Sequence, residues 1–202
     1  MATLLYQTTR DETPRLFKSD FLEFFTRVHP SVPLFLYLPL IFFLVGRAYF
    51  RFSLPGYEIV LLLVAGVFFW SLTEYLLHRF VFHFEAKGER SKRIFYLFHG
   101  IHHDYPNDSW RLVMPPVVSL PVAVLLVILT LGNAPLQVLF SGFGLGYLVY
   151  DMTHYAVHHF ALKGAWGQAL KRYHLKHHYQ DPSHGFGVSS PWWDKVFRTT
   201  YR

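Results

Sequence analysis

The chain has 202 residues, 52% of them hydrophobic and 19% aromatic, with a formal charge of +6; this is enough for one domain and too little for a large second one. It has no cysteine, which excludes disulfides, thiolate metal sites, iron–sulfur clusters and cysteine nucleophiles. Its 21 Phe and 13 Tyr suit contact with lipid and headgroups, so the positive charge points to an anionic membrane surface and not to nucleic acid.

Residues 1–30 are mixed and polar, an expected N-terminal cytoplasmic or interfacial segment. Within it, Phe17 to Val28 is amphipathic enough to lie on a membrane surface. The charges of Arg10, Asp11, Glu12, Arg15, Lys18 and Asp20 leave no pattern of a cleavable signal, so the first apolar run is expected to insert and stay. That run, Val32 to Phe50, is just long enough to cross a bilayer, with Pro33 and Pro39 placed early. A second begins at Tyr57 and is expected to leave the membrane near Glu74. Residues 84–112 are polar and basic. A third apolar run, Val113 to Leu131, starts among Pro115, Pro116 and Pro121, and a fourth runs from Leu136 to Tyr150 or on through Tyr155. These last two read as full crossings or as one re-entrant hairpin. Gly142, Gly144 and Gly146 on the fourth run are expected to form a close helix-packing face, since no strand precedes them to make a nucleotide loop. Trp192 and Trp193 read as an interfacial anchor.

Lys and Arg set the orientation. Five lie in the segment after the second run and seven in the final segment, against Arg47 and Arg51 alone on the opposite side. Positive-inside bias then places both termini and the middle segment in the cytoplasm. The sequon Asn107-Asp108-Ser109 falls on that side and reads as chance.

Ten of the thirteen histidines fall in four clusters: His78 and His83; His99, His102 and His103; His154 and His158; His174, His177 and His178. Residues three and four apart share a helix face. Each HxxHH triplet therefore reads as a three-nitrogen claw, and His154 with His158 as a two-nitrogen clamp. His78 and His83, five apart, diverge by roughly 140° on an ideal helix and suit different metals better than one. Ten nitrogens serve two ions with about five each. All four clusters sit at cytoplasmic ends of apolar runs, so they can meet in one cap. A thiolate-free imidazole site suits iron, zinc, copper or nickel. The expected fold is an all-α integral membrane protein, four transmembrane helices under a cytoplasmic helical cap that holds a dinuclear metal site. Glu74, Asp104, Asp151 and Asp181 are candidate acceptors for the outer ring N–H groups, with His159 and His184 as supporting hydrogen-bond partners. His29 stands alone and reads as structural or exposed.

Glu74-Tyr-Leu-Leu-His78-Arg-Phe-Val-Phe-His83, His99-Gly-Ile-His102-His103-Asp-Tyr-Pro, Tyr150-Asp-Met-Thr-His154-Tyr-Ala-Val-His158-His159 and Tyr173-His174-Leu-Lys-His177-His178 resemble the membrane fatty acid hydroxylase superfamily. The HRxxFH opening, with Gly185-Phe-Gly-Val-Ser-Ser and Trp193-Asp-Lys-Val-Phe, is most similar to the fatty acid 2-hydroxylases. The likeness covers residues 31–202. It implies that His78, His83, His99, His102, His103, His154, His158, His174, His177 and His178 hold two iron ions, with zinc able to occupy the site in purified protein. It also implies insertion of one oxygen atom from O2 at carbon 2 of a long acyl chain, carried as free acid, thioester or ceramide-type lipid. Eukaryotic relatives often carry a fused cytochrome b5 domain, and only about thirty residues precede the first run here. This implies a separate redox partner, a cytochrome b5-like protein or a ferredoxin, and a bacterial inner membrane, or the endoplasmic reticulum membrane if the chain is eukaryotic. Arg79, Lys171, Arg172 and Lys176 suit headgroup or redox-partner contacts, or a solvated basic face. Other lipid oxidases of the superfamily (sterol, sphingoid-base or carotenoid hydroxylases and desaturases) stay open, as do a structural zinc site and, further off, a membrane metal transporter or sensor.

Overall fold

A computed structural model describes residues 7–201; residues 1–6 of the expected N-terminal segment and Arg202 lie outside the described residues. Every regular element among them is helical. The short α1 (Asp20–Phe24) is capped by Ser19, whose hydroxyl accepts from the Leu22 amide. Then come α2 (Val32–Phe52) and α3 (Gly56–Leu76), the latter running on through a π-helical segment, Leu77–Phe82. Pro33 opens α2 where no helical N–H is needed, and Ser53 in the left-handed region (φ 53°) closes it. In the middle segment α4 (Glu89–Phe95) passes through a second π turn, Tyr96–Gly100, into α5 (Ile101–Asp104). The apolar α6 (Pro116–Leu129), α7 (Ala134–His159), α8 (Gly164–Tyr179) and α9 (Trp192–Val196) follow. Asn133 caps α7 by accepting from the Leu136 amide.

Among the described residues two helices are long and apolar enough to cross a membrane, Val32–Phe52 and Gly56–Phe82. Large apolar side chains point outward along them, among them Phe35, Phe42, Phe43, Phe50, Leu61 and Val64. The third apolar run yields a helix of only 14 residues, because Pro115 and Pro116 set its start and the Thr130 hydroxyl turns back to the Leu126 carbonyl at its end. The fourth run becomes a helix of 26 residues that continues past Tyr155 to His159.

α3 and α7 are pressed together at Gly142 and Gly146, as the fourth run suggests, whereas Gly144, two residues from each, turns to Ile41 of α2 and leaves that face. A Cβ on Gly66 would lie 2.1 Å from the Leu139 carbonyl, one on Gly142 2.3 Å from that of Leu63, and one on Gly146 2.6 Å from the Trp70 Cβ. The backbones touch where a side chain would stand. α2 packs on the other side of α7, and Tyr37, Ile41, Trp70, Tyr147, Leu148 and Tyr150 form the shared core. α6 stands off this bundle. It has no buried residue, and the Tyr37 hydroxyl, 2.7 Å from Ser119 Oγ, ties it to α2.

Candidate metal centre

The ten clustered histidines converge on two groups. The first is His78, His83, His99, His103 and His177; the second is His102, His154, His158, His174 and His178. Within each, one ligand atom per residue lies within 4.8 Å of the others, so each could hold a metal ion. In the first group Nε2 atoms lie 3.1 Å apart for His78–His99, His99–His103 and His103–His83, and 2.9 Å for His83–His177. In the second the spacings are 2.8 Å (His102–His154), 2.9 Å (His158–His174) and 3.0 Å (His174–His178). At a metal–nitrogen distance of about 2.1 Å, nitrogens at right angles lie about 3.0 Å apart and tetrahedral ones about 3.4 Å. Five imidazoles at right-angle spacing fit a metal ion and do not fit the closed tetrahedron of structural zinc.

The partition departs from the sequence expectation in two ways. Neither HxxHH triplet acts as a single claw: His99 and His103 face the first group while His102 faces the second, and His174 and His178 face the second while His177 faces the first. Neighbouring helical residues point about 100° apart, so the paired histidines of each triplet straddle two centres. His78 and His83, expected to diverge, share the first group. The helix carrying them widens into a π turn, with the His83 amide donating to the His78 carbonyl at 3.1 Å, and residues five apart come onto one face. His154 and His158 share the second group as the clamp they resemble.

Nine of the ten are buried and His83 is half-buried. Burial, reinforced by neighbouring imidazoles, holds the His99 and His178 rings well below the ordinary histidine value and brings His103 and His177 to about 3. These rings are neutral at physiological pH, with a lone pair free for a cation.

Backbone carbonyls, not carboxylates, meet the outer nitrogens of His78 and His177, while the buried Nδ1 atoms of His103, His158, His174 and His178 have no hydrogen-bond partner among the described residues. The Phe186 carbonyl lies 2.5 Å from His78 Nδ1 and the His184 carbonyl 2.8 Å from His177 Nδ1. The loop carrying them is held by two buried acids. Glu74 accepts from the Val188 and Ser189 amides, each at 2.8 Å, and from the Ser189 hydroxyl at 2.5 Å. Asp194 accepts from the Phe186 and Gly187 amides at 2.9 and 2.8 Å. Gly187 is required there, since a Cβ would lie 2.1 Å from the Ser190 carbonyl.

A cavity of about 610 Å³ reaches both groups, its wall including His99 on one side and His102 and His154 on the other. The rest of its lining is largely apolar, and residues before the first long helix (Leu16, Phe17, Phe21, Leu22 and Phe25) close part of it. That segment is strapped to the residues around the two histidine groups. Arg111 reaches Glu23 at 2.7 Å and Asp108 at 3.2 Å, Thr13 donates to Asp108 at 2.7 Å, and the Gln7 side chain donates to the His178 carbonyl at 2.7 Å. Burial pushes the Glu23 carboxyl up, but the Phe17 and Leu16 amides and the Arg27 and Arg111 guanidiniums outweigh it, leaving the group below its ordinary value.

A family model described as fatty acid hydroxylase matches residues 63–199, the stretch that carries all ten histidines. The chain belongs to the fatty acid hydroxylase family. It is 42% identical over 195 residues to the dihydroceramide fatty acyl 2-hydroxylase FAH1 of Arabidopsis thaliana, covering 93% of this chain and 80% of that protein. It is 38% identical to the fatty acid 2-hydroxylase of Rattus norvegicus, over 92% of this chain and 56% of the relative. In three dimensions it is similar to the solved structure "Full length scs7p (only hydroxylase domain visible)", with a TM-score of 0.82 at 35% identity, covering 91% of this chain and 70% of that one.

Within this family framework the other expected partners fall further out. Asp151 accepts from the Met114 amide at 3.4 Å and lines the cavity. Asp104 offers its carbonyl to the Thr8 amide, and Asp181 bonds the His184 ring at 2.6 Å while the His184 carbonyl serves His177. His159 stacks on Tyr155 at 4.4 Å, outside both groups. Arg79 donates to the Tyr75 hydroxyl and Lys171 to the Phe160 carbonyl. Asn107 of the sequon donates to the Thr9 carbonyl. Trp193 docks on α3 through Ser71, while Trp192 is exposed. His29 pairs with Ser31 and meets Trp110 edge-on. The Arg111–Glu23 strap and the carbonyl acceptors were not legible in advance: a carbonyl has no side-chain signature, and the strap joins residues 88 positions apart.

Proposed function

We propose that this protein is a membrane-bound, O2-dependent hydroxylase acting at carbon 2 of a long fatty-acyl chain, with the ten histidines holding two iron ions, five each. The observation that carries this reading is the largely apolar cavity whose wall includes imidazoles of both groups. An acyl chain laid along it brings carbons near the carboxyl end against the centre. Bound iron supplies the activation of O2 that an unactivated C–H bond requires. The chain's own residues hold the neutral imidazoles in place, line the path of the hydrocarbon and keep water from it. The names of the relatives favour a ceramide-type acyl lipid among the possible carriers. The right-angle nitrogen spacing argues against a structural zinc site, and histidines gathered at one end of the bundle argue against a transporter, whose site would lie near the midplane.

The anchor we propose comprises α2, α3, α6 and α7, with α2 and α6 leaving the cytoplasmic side that carries the cap and both termini and α3 and α7 returning to it. The two long apolar helices and the basic segments beside the cap support it. Electrons come from a separate donor protein in this reading.

Lipid mass spectrometry of cells expressing the chain tests the reading. Acyl chains gaining one oxygen, located at carbon 2 by fragmentation and lost in the His102→Ala variant, are the expected outcome. Loss of two hydrogens instead would make it a desaturase.

A further inference from the structure

A second cavity of about 420 Å³ occupies the gap between α6 and the α2–α3–α7 bundle. It abuts the cavity at the metal centre at Phe82, Phe98, Met114 and Val118, which line both, and an acyl chain passing these four side chains would run from the histidines into the membrane-facing bundle. One face of α6, Val118, Val122, Leu126 and Thr130, forms a wall. Its opposite end holds Gln137, 1% exposed, whose side-chain carbonyl accepts from Arg47 at 2.5 Å across from α2 to α7. The Gln137 Nε2 finds no hydrogen-bond partner among the described residues. An Arg–Gln bridge between two helices is a steric stop for hydrocarbon, and a buried amide there gains nothing from a methyl group.

We infer that this second cavity takes the distal part of the acyl chain and that the Arg47–Gln137 bridge sets the longest chain accepted. The inference rests on the acyl reading above. The seventeen residues of α7 between Gln137 and His154 advance about 25 Å at roughly 1.5 Å each. An extended chain advances about 1.2 Å per bond, so the path takes roughly twenty carbons. Gly144 lines it ten residues from His154, about 15 Å away or roughly twelve bonds. A Cβ at Gly144 would meet only Ile41 Cδ1, at 3.5 Å, an ordinary contact, so a larger side chain there projects into the path. Ala123 lines the facing wall on α6.

The test is the rate of 2-hydroxylation by the metal-loaded full chain across saturated acyl lipids from medium to very long chains. In Gly144→Leu and, independently, Ala123→Leu, the ratio of long-chain to medium-chain kcat/KM is expected to fall by about tenfold or more, since each methylene refused by an apolar pocket is worth at least that. Gln137→Ala moves the optimum towards longer chains. Retained metal content reports the fold in each variant. Either cavity-filling variant with its metals in place and the wild-type chain-length profile would overturn the inference. A wild-type protein that hydroxylates all lengths equally would also overturn it while leaving the acyl reading intact, and one that forms no 2-hydroxy product would remove that reading itself.

Discussion

His102 and His103 are neighbours in the chain and members of different groups. The single-residue consequence is specific: His102→Ala should lower bound metal from two ions towards one, by elemental analysis, with the His78 group still loaded. Product formation should fall by about a hundredfold or more, since partners one step further out already carry 10–100-fold. Two ions retained at full activity would reject the five-and-five assignment. Glu74 touches no histidine, yet it holds the loop whose Phe186 carbonyl meets His78. Glu74→Ala strands the buried Val188 amide, at a cost of about 1–3 kcal/mol, and the half-buried Ser189 amide beside it. Weaker metal retention during dialysis is the expected result, and Glu74→Gln should keep more metal than Glu74→Ala, because its amide carbonyl still accepts.

The π turn at Leu77–Phe82 and the strap ahead of α2 are local devices with consequences at the centre. Glu23 lies below its ordinary pKa in the folded protein, so its latch stabilises the strap fully above the unfolded value near 4.5 and loses that contribution as pH falls through the folded value. Protection of the amides across residues 16–28, taken relative to intrinsic exchange at the same pH, should therefore be high at pH 7 and fall as the pH drops below 4.5, and Glu23→Gln should lower it at pH 7. The glycine contact between α3 and α7 makes a sharper demand. Gly66→Val forces atoms into the Leu139 carbonyl and should cost at least the roughly 1–3 kcal/mol of an overpacked core, read as a lowered thermal midpoint in detergent. The face made by Gly142 and Gly146 was legible from their spacing of four, but the inclusion of Gly144 was wrong, since a residue two positions away lies on the far side of the helix, here towards Ile41. The π turn was not, because the same residues on a regular helix would place His78 and His83 on divergent faces.

Two ions held as proposed by four distant segments would cross-link the histidine-bearing helices, so metal and fold would be linked. Chelation should lower the thermal midpoint and resupply of iron should restore it, with a span of about 4 kcal/mol for each ion when metal exceeds its dissociation constant a thousandfold. A midpoint indifferent to chelator would mean that the histidines are held by packing alone. The sequence by itself determined the helical class, the apolar runs, the absence of thiolate chemistry and the ten histidines that gather, because those follow from composition and from spacing along one helix at a time. Only the tertiary structure decided which imidazole joins which group, which carbonyls meet His78 and His177, that α6 stands off to leave a cavity, and that residues ahead of α2 close part of the cavity beside the centre. Each of these depends on the relative placement of separate helices, and helical periodicity fixes a side chain's direction on its own axis but not the neighbour it meets.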